Sequence, residues 1–166
     1  TLDFEGSFSG KAFFNIPSGN NSGSGFITES SNDSMTQEIE VTTLDEKIKG
    51  SKISLICADV EGFEYDVMLG ATETIKKWRP VVQVEMVYGQ PHRFGYTVHD
   101  ILKYFEDKDY VMTLSDGSIL PMEWIQKKQG KEMPVKGKMD RFFVPKEHAS
   151  WDNIQPEPFD VLFEIT

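Results

Sequence analysis

Three carboxylates follow an apolar segment of the chain within six positions. The segment spans residues 53–58, and Asp59, Glu61 and Glu64 come after it, with Gly62 among them. A carboxylate at the end of a buried strand loses hydration unless a cation, a ligand hydroxyl or amine, or a basic side chain pairs with it. Two hypotheses follow: the acids form a binding site, or they complement the dipole of a helix that begins here.

A fourth carboxylate, Glu85, lies near the end of the next apolar segment, residues 81–87. Consecutive strands usually lie side by side, and ligands of open α/β sheets bind beyond the carboxyl ends of the strands. We therefore expect Asp59 and Glu85 to face one crevice. Because carboxylate oxygens suit Mg²⁺ or Ca²⁺ rather than zinc, these two residues are also candidate metal ligands.

His92 and Arg93 lie in the loop that follows the second apolar segment. A loop at the carboxyl end of a strand is a suitable place for a general base, so His92 is a candidate catalytic residue. Arg93 beside it is a candidate substrate-binding residue. The alternative for His92 is an ordinary surface histidine.

The glycines of residues 18–25 do not form a cofactor loop. Their spacing does not match G-x-G-x-x-G, and no helix pattern follows them, so we interpret the stretch as a hairpin turn. The sequence also contains no G-x-S-x-G, H-E-x-x-H or paired C-x-x-C motif, which leaves hydrolase and zinc functions without support.

The elements that must position these residues alternate between strand and helix patterns. This order predicts βαβ units and a mostly parallel sheet, with the 53–59 strand covered on both faces and Cys57 buried within it. The helix predicted at 63–78 has a stripe of apolar side chains along one face, and Leu69 belongs to this stripe. Strands are predicted at 11–16, 37–41, 53–59, 81–87, 110–114, 141–144 and 161–165; helices are predicted at 44–48, at 63–78 and from Thr97 onward.

Composition limits the partners of the chain. Its 166 residues include 17 basic and 27 acidic side chains, for a net charge of −10. Such a surface repels nucleic acid and anionic membranes, so neither is expected as a partner. Cys57 is the single cysteine, which excludes an intramolecular disulfide and fits a reducing, cytoplasmic compartment. No segment is apolar enough over its length for a membrane span.

Several linked motifs of the chain resemble the FkbM family of S-adenosylmethionine-dependent methyltransferases. They are TTLD at 42–45, ADVEGFE at 58–64, LGA at 69–71, RPV at 79–81, and Val84-Glu85. Their order and spacing both match the family. The resemblance implies a Rossmann-like α/β methyltransferase sheet, mostly parallel with an antiparallel end.

The resemblance also implies a function and a site. The reaction is methyl transfer from S-adenosylmethionine to a hydroxyl of a sugar, glycolipid or polyketide-like acceptor. Asp59 is placed at the crevice between cofactor and substrate, as a catalytic and cofactor-binding residue. Glu61, Glu64 and Glu85 are placed on the substrate, where Glu61 and Glu85 orient the acceptor or hold a cation such as Mg²⁺.

The acidic glycine-rich loop of the family, D/E-x-G-x-x-x-G, does not occur in this sequence. The resemblance therefore covers the carboxyl-terminal half of the domain, and we expect residues 1–145 to form a partial domain that lacks its first strands, followed by an acidic tail, 146–166. A non-catalytic interaction or structural module is the alternative function. Missing strands would leave the 53–59 strand at a bare edge, which predicts a homo-oligomer or a companion chain there.

Overall fold

The computed structural model describes residues 3–16, 25–28, 36–88, 94–122 and 137–149. They form a mixed α/β architecture with two sheets and four α-helices. The chain divides into two compact units, each described by itself below. Unit 1 is Thr1–Ser54 with Ala58–Arg79, and unit 2 is Leu55–Cys57 with Pro80–Thr166.

Unit 1 contains a four-stranded sheet. The strand order is β1-β4-β2-β3, and the β2–β4 and β2–β3 pairs are antiparallel while β1–β4 is parallel. The predicted strands 11–16 and 37–41 are confirmed as β2 and β4, and the buried side chains of the sheet include Ile39 and Val41. The strands are β1 Asp3–Glu5, β2 Gly10–Asn15, β3 Phe26–Thr28 and β4 Thr36–Thr42.

Unit 1 also contains three short helices. The predicted 44–48 helix is confirmed, with the Thr43 hydroxyl accepting the Glu46 N–H at 3.2 Å. The single helix predicted over 63–78 is wrong, because the segment forms two helices separated at Gly70 and Ala71. The helices are α1 Leu44–Lys47, α2 Glu64–Leu69 and α3 Thr72–Trp78.

The break between α2 and α3 has a hydrogen-bond cause. In a continuous helix, the Thr74 N–H would donate to the Gly70 carbonyl, four residues back. Instead, the Asp45 carboxylate accepts the Thr74 N–H at 2.8 Å and the Glu73 N–H at 2.9 Å. The Asp45 N–H donates to the Gly70 carbonyl at 3.0 Å. Asp45 therefore replaces bonds that the uninterrupted helix would need, and Leu69, predicted in the apolar stripe, is exposed.

Unit 2 contains a five-stranded sheet with the order β5-β6-β9-β7-β8. Its described registers, β6–β9, β7–β9 and β7–β8, are all antiparallel. The described registers therefore do not show the mostly parallel sheet that the sequence predicts. A hairpin turn joins β7 directly to β8, and such a short connection permits only antiparallel pairing. The strands are β5 Leu55–Ala58, β6 Val81–Tyr88, β7 Tyr110–Thr113, β8 Ile119–Leu120 and β9 Gly137–Pro145.

Helix α4, Val98–Glu106, covers one face of this sheet. The Thr97 N–H and hydroxyl each donate to the Asp100 carboxylate at 2.7 Å, which fixes the start of the helix as the sequence predicts. The Phe105 ring stacks on Phe143 of β9 with ring centroids 3.9 Å apart. The inner face of α4 consists of Val98, Ile101, Leu102 and Phe105, which are buried.

Strand β5 differs from its prediction in length and burial. Ile56 and Ala58 are buried, whereas Leu55 and Cys57 are exposed. The expectations that this strand is covered on both faces and that Cys57 is buried are therefore wrong. Alternate side chains of a strand point to opposite faces, and only one face of β5 is covered. The Cys57 thiol donates to the Gln83 side-chain oxygen at 3.6 Å.

No helix among the described residues has the length and apolar character needed to cross a membrane. The cytoplasmic location stays a prediction. A short 3₁₀ helix, Lys146–His148, follows β9. The predicted tail strand, 161–165, lies outside the described residues.

Candidate functional site

The candidate site is the loop of residues 59–63, which leads from β5 into α2. Asp59 is exposed and Glu61 is half-buried. A carboxylate oxygen of Asp59 and one of Glu61 lie within 4.8 Å of each other. The loop therefore presents two neighbouring negative charges, which is a suitable arrangement for accepting hydrogen bonds from hydroxyl groups.

Glu64 organises this loop from the inside. One oxygen of its carboxylate, Oε1, accepts the Val60 N–H at 3.2 Å and the Gly62 N–H at 3.0 Å. The side chain is 0% exposed, and the adjacent Phe63 is also buried. A buried carboxylate is costly unless it is hydrogen-bonded, and these bonds offset that cost. The predicted contact of Glu64 with substrate is therefore corrected: this side chain supports the loop backbone.

Two residues of the loop have positive φ angles. Gly62 has φ +98, which glycine adopts without steric cost, and this explains the glycine in the motif. Glu61 has φ +51, a left-handed conformation that costs a residue with a β-carbon roughly 1–2 kcal/mol. Backbone strain of this kind concentrates at functional sites, where the surrounding structure holds it in place. Here the two bonds to Glu64 flank the strained residue.

Glu85 lies on β6 in unit 2, three residues before the end of the strand. Its side chain is half-buried, and its register partner on β9 is Asp140, which is exposed. Residues that are directly opposite in an antiparallel pair share a face, so these two acids lie on the same face of the sheet. Asp59 and Glu85 belong to different units, and their joint metal site stays a prediction.

His92 and Arg93 lie outside the described residues. Their predicted roles as catalytic and substrate-binding residues therefore stay predictions.

Hydrogen bonds join two of the sequence motifs, TTLD and LGA; we call this contact the joint between α1 and α3. Asp45 of the TTLD motif bonds the backbone of Gly70, Glu73 and Thr74 around the LGA motif. A β-carbon at Gly70 would lie 1.9 Å from the Gly6 carbonyl oxygen, so only glycine fits at that position. Sequence reasoning missed this role of Asp45, because its hydrogen-bond partners lie 28 and 29 positions away and no local pattern indicates them.

The RPV motif also has a structural role. Arg79 ends α3 with φ +52, and its N–H donates to the Ile75 carbonyl at 3.1 Å. In unit 2, the Pro80 carbonyl accepts the buried Tyr110 hydroxyl at 2.9 Å. Arg79 therefore ends α3. Pro80, the residue directly before β6, is held by its hydrogen bond with Tyr110.

Comparison with known protein families gives a match that covers more than half of the chain. The model of the methyltransferase FkbM domain matches residues 2–112. The match contains the 59–63 loop, and it extends on both sides of the motifs at 42–85. No curated protein and no solved structure matches the chain.

Proposed function

We propose a function from one premise: the chain belongs to the FkbM methyltransferase family. On that premise the protein takes part in methyl transfer, and we propose an acceptor hydroxyl on a sugar, glycolipid or polyketide-like molecule. One observation carries the site assignment. Within the matched region, Asp59 presents an exposed carboxylate on a loop whose backbone is held by the buried Glu64.

The proposed chemistry of this loop concerns the acceptor. S-adenosylmethionine, when bound, would supply an electrophilic methyl group, whose bond to sulfur breaks to release S-adenosylhomocysteine. Asp59 accepts a hydrogen bond from the acceptor hydroxyl and takes its proton as the oxygen forms its new bond to carbon. Glu61 orients a neighbouring hydroxyl, and Glu85 and Arg93 are proposed as further acceptor contacts, with His92 as a second candidate base. Positioning by fixed groups lowers the entropic part of the barrier.

We propose a contact with the methyl donor for one residue of this chain. The sequence contains no D/E-x-G-x-x-x-G segment, so we assign no glycine-loop contact to the donor and retain Asp59 alone as a proposed cofactor-binding residue. In addition to the methyl-transfer residues, we propose a Mg²⁺ ion that is held by Asp59 and Glu85. It is tested by thermal unfolding with and without excess Mg²⁺, in the wild type and in Asp59→Asn.

A non-catalytic interaction or structural module is the alternative. The two functions differ in donor binding, which calorimetry with S-adenosylhomocysteine measures directly. Binding supports the enzyme, whereas its absence in the wild-type chain favours the module.

The catalytic role is tested by Asp59→Asn, which removes the basic carboxylate and keeps the size of the side chain. We expect a loss of about 100-fold or more in transfer of a labelled methyl group to a panel of hydroxyl-bearing acceptors. Glu73→Gln is the matched control, because Glu73 is an exposed acid of the same unit outside the loop. Full activity of Asp59→Asn would remove Asp59 from the mechanism.

A further inference from the structure

Unit 1 contains an open cleft that does not include any residue of the 59–63 loop. Its volume is about 850 Å³, and it lies among β2, β4 and α1. This volume falls within the range of ligand pockets, about 300–1,000 Å³. Its polar lining comes chiefly from Ser9, Lys11, Thr42, Glu46, Lys47 and Lys49.

Glu46 determines which hydrogen-bonding groups the wall of the cleft offers to a ligand. The hydroxyl groups of Ser9 and Thr42 both donate to Oε2 of Glu46, the second at 3.4 Å. With their protons directed at the carboxylate, the two hydroxyl oxygens retain lone pairs that accept hydrogen bonds. The wall thus offers acceptors beside the ammonium donors of the lysines, a pattern that matches a ligand whose hydroxyl groups both donate and accept.

The charges of the lining argue against a strongly anionic ligand. Three lysines are accompanied by two glutamates, Glu40 and Glu46. Lys11 is also engaged outside the lining, since its Nζ lies 2.6 Å from Glu38. The pKa of Lys11 is raised by its hydrogen bond and charge interaction with Glu38, and further by Glu40. The local field is close to neutral, which does not favour the binding of a phosphate group.

An exposed aromatic ring lies next to a glycine that lines the cleft. Phe8 is 45% exposed. Gly10 lines the cleft, and Cδ2 of the Phe8 ring lies 3.4 Å from the position that a β-carbon on Gly10 would occupy, which is an ordinary contact distance. An open aromatic face beside converging polar groups combines apolar contact with orienting hydrogen bonds.

We propose that this cleft binds a neutral saccharide, with the Phe8 ring against an apolar face of a sugar ring and the Ser9, Thr42 and Glu46 groups on its hydroxyls. The binding requires neither the methyl donor nor the 59–63 loop, so it goes beyond methyl transfer. The proposal applies to an enzyme that binds a glycan away from the reacting hydroxyl, and it applies equally to a non-catalytic module.

The test uses the full chain and nuclear magnetic resonance. Methyl α-D-glucopyranoside, methyl α-D-mannopyranoside, methyl β-D-galactopyranoside and cellobiose are titrated to about 20 mM, a concentration that largely fills a site of millimolar Kd. We expect saturable shifts of the Ser9, Gly10 and Thr42 amide signals with at least one sugar. Phe8→Ala should weaken binding about tenfold, and Phe8→Trp should preserve it. Glu46→Gln, which keeps the side-chain shape, should also weaken it.

Ile16→Ala is the matched control, because Ile16 is a comparably exposed apolar residue of unit 1 outside the cleft. The proposal is overturned if no sugar shifts these amides, if Phe8→Ala binds as the wild type does, or if inorganic phosphate alone shifts them. S-adenosylhomocysteine binding is measured separately, so that failure of the saccharide site and failure of the proposed methyl transfer are distinguished.

Discussion

At the residue scale, two carboxylates of the same motif, Asp59 and Glu64, have different roles. Both are carboxylates within six positions, yet Asp59 is exposed and Glu64 is 0% exposed. The sequence predicts that the acids cluster, but it does not tell which one turns inward. That depends on the left-handed backbone at Glu61 and Gly62, which folds the chain back over the Glu64 carboxylate.

Replacement of Glu64 by leucine tests this support role. The change leaves the Val60 and Gly62 N–H groups without their acceptor, and we expect unfolding free energy to fall by about 2–4 kcal/mol. Glu64→Gln keeps an acceptor oxygen and should lose clearly less. Urea denaturation measures both, with Glu61→Gln as a control on the same loop. Equal stability of Glu64→Leu and the wild type would contradict the assignment.

At the element scale, the joint between α1 and α3 explains a failure of sequence reasoning. The 63–78 segment has helical periodicity throughout, so one helix was the natural prediction. The competing hydrogen-bond partner, Asp45, lies 28 and 29 positions away from Glu73 and Thr74. Local periodicity contains no information on such a distant partner, whereas the start of α4 at Thr97 depends on a local hydrogen bond and was predicted correctly.

Asp45→Ala should destabilise the protein by about 1–2 kcal/mol, because it removes the carboxylate that caps α3. Asp45→Asn retains one acceptor oxygen and should give an intermediate loss. Chemical denaturation provides the free energies, and circular dichroism reports helix content. If Asp45→Ala unfolds at the wild-type denaturant concentration, the cap contributes nothing to stability.

The start of α4 makes stability depend on pH. The Thr97 hydroxyl, bonded to the Asp100 carboxylate, is the largest cause that lowers the pKa of Asp100 below its ordinary 3.8. A lowered folded-state pKa stabilises the protein fully above the unfolded value, and this contribution is lost as pH falls through the folded value. The stability difference between wild type and Asp100→Asn should therefore shrink from about pH 5 to about pH 3.

The control for this titration is Thr97→Ala, which removes the principal hydrogen-bond donor to Asp100. In that background, Asp100→Asn should change the pH dependence of unfolding far less. A wild-type difference that stays constant between these pH values would show that Asp100 does not titrate in this range.

At the scale of the whole molecule, the sequence predicts the elements better than their arrangement. Strands β2, β4, β6, β7 and β9 were all expected, because each is a compact apolar or alternating segment. Strand direction was predicted from βαβ order, yet the described registers of unit 2 are antiparallel. Pairing depends on how distant segments approach each other, and β9 is inserted between β6 and β7 although it follows both in the chain.

The edge position of β5 was predicted, and it has a consequence for the whole molecule. Among the described strands, β5 ends the five-stranded sheet and carries Leu55, which is 55% exposed. Unpaired strand edges with apolar side chains favour pairing with another chain. Association of the chain with itself is opposed by its net charge of −10, and salt screens that repulsion.

We therefore predict that light scattering gives more than one chain per particle, and that added salt strengthens the association. Leu55→Lys should yield single chains, because a lysine on an edge strand must lose its hydration for a second strand to pair there. Leu69→Lys makes the same charge change on an exposed residue of α2 and should leave the assembly intact. A wild-type protein that is one chain per particle at every salt concentration would contradict self-association through β5 and leave a companion chain as the remaining partner for that edge.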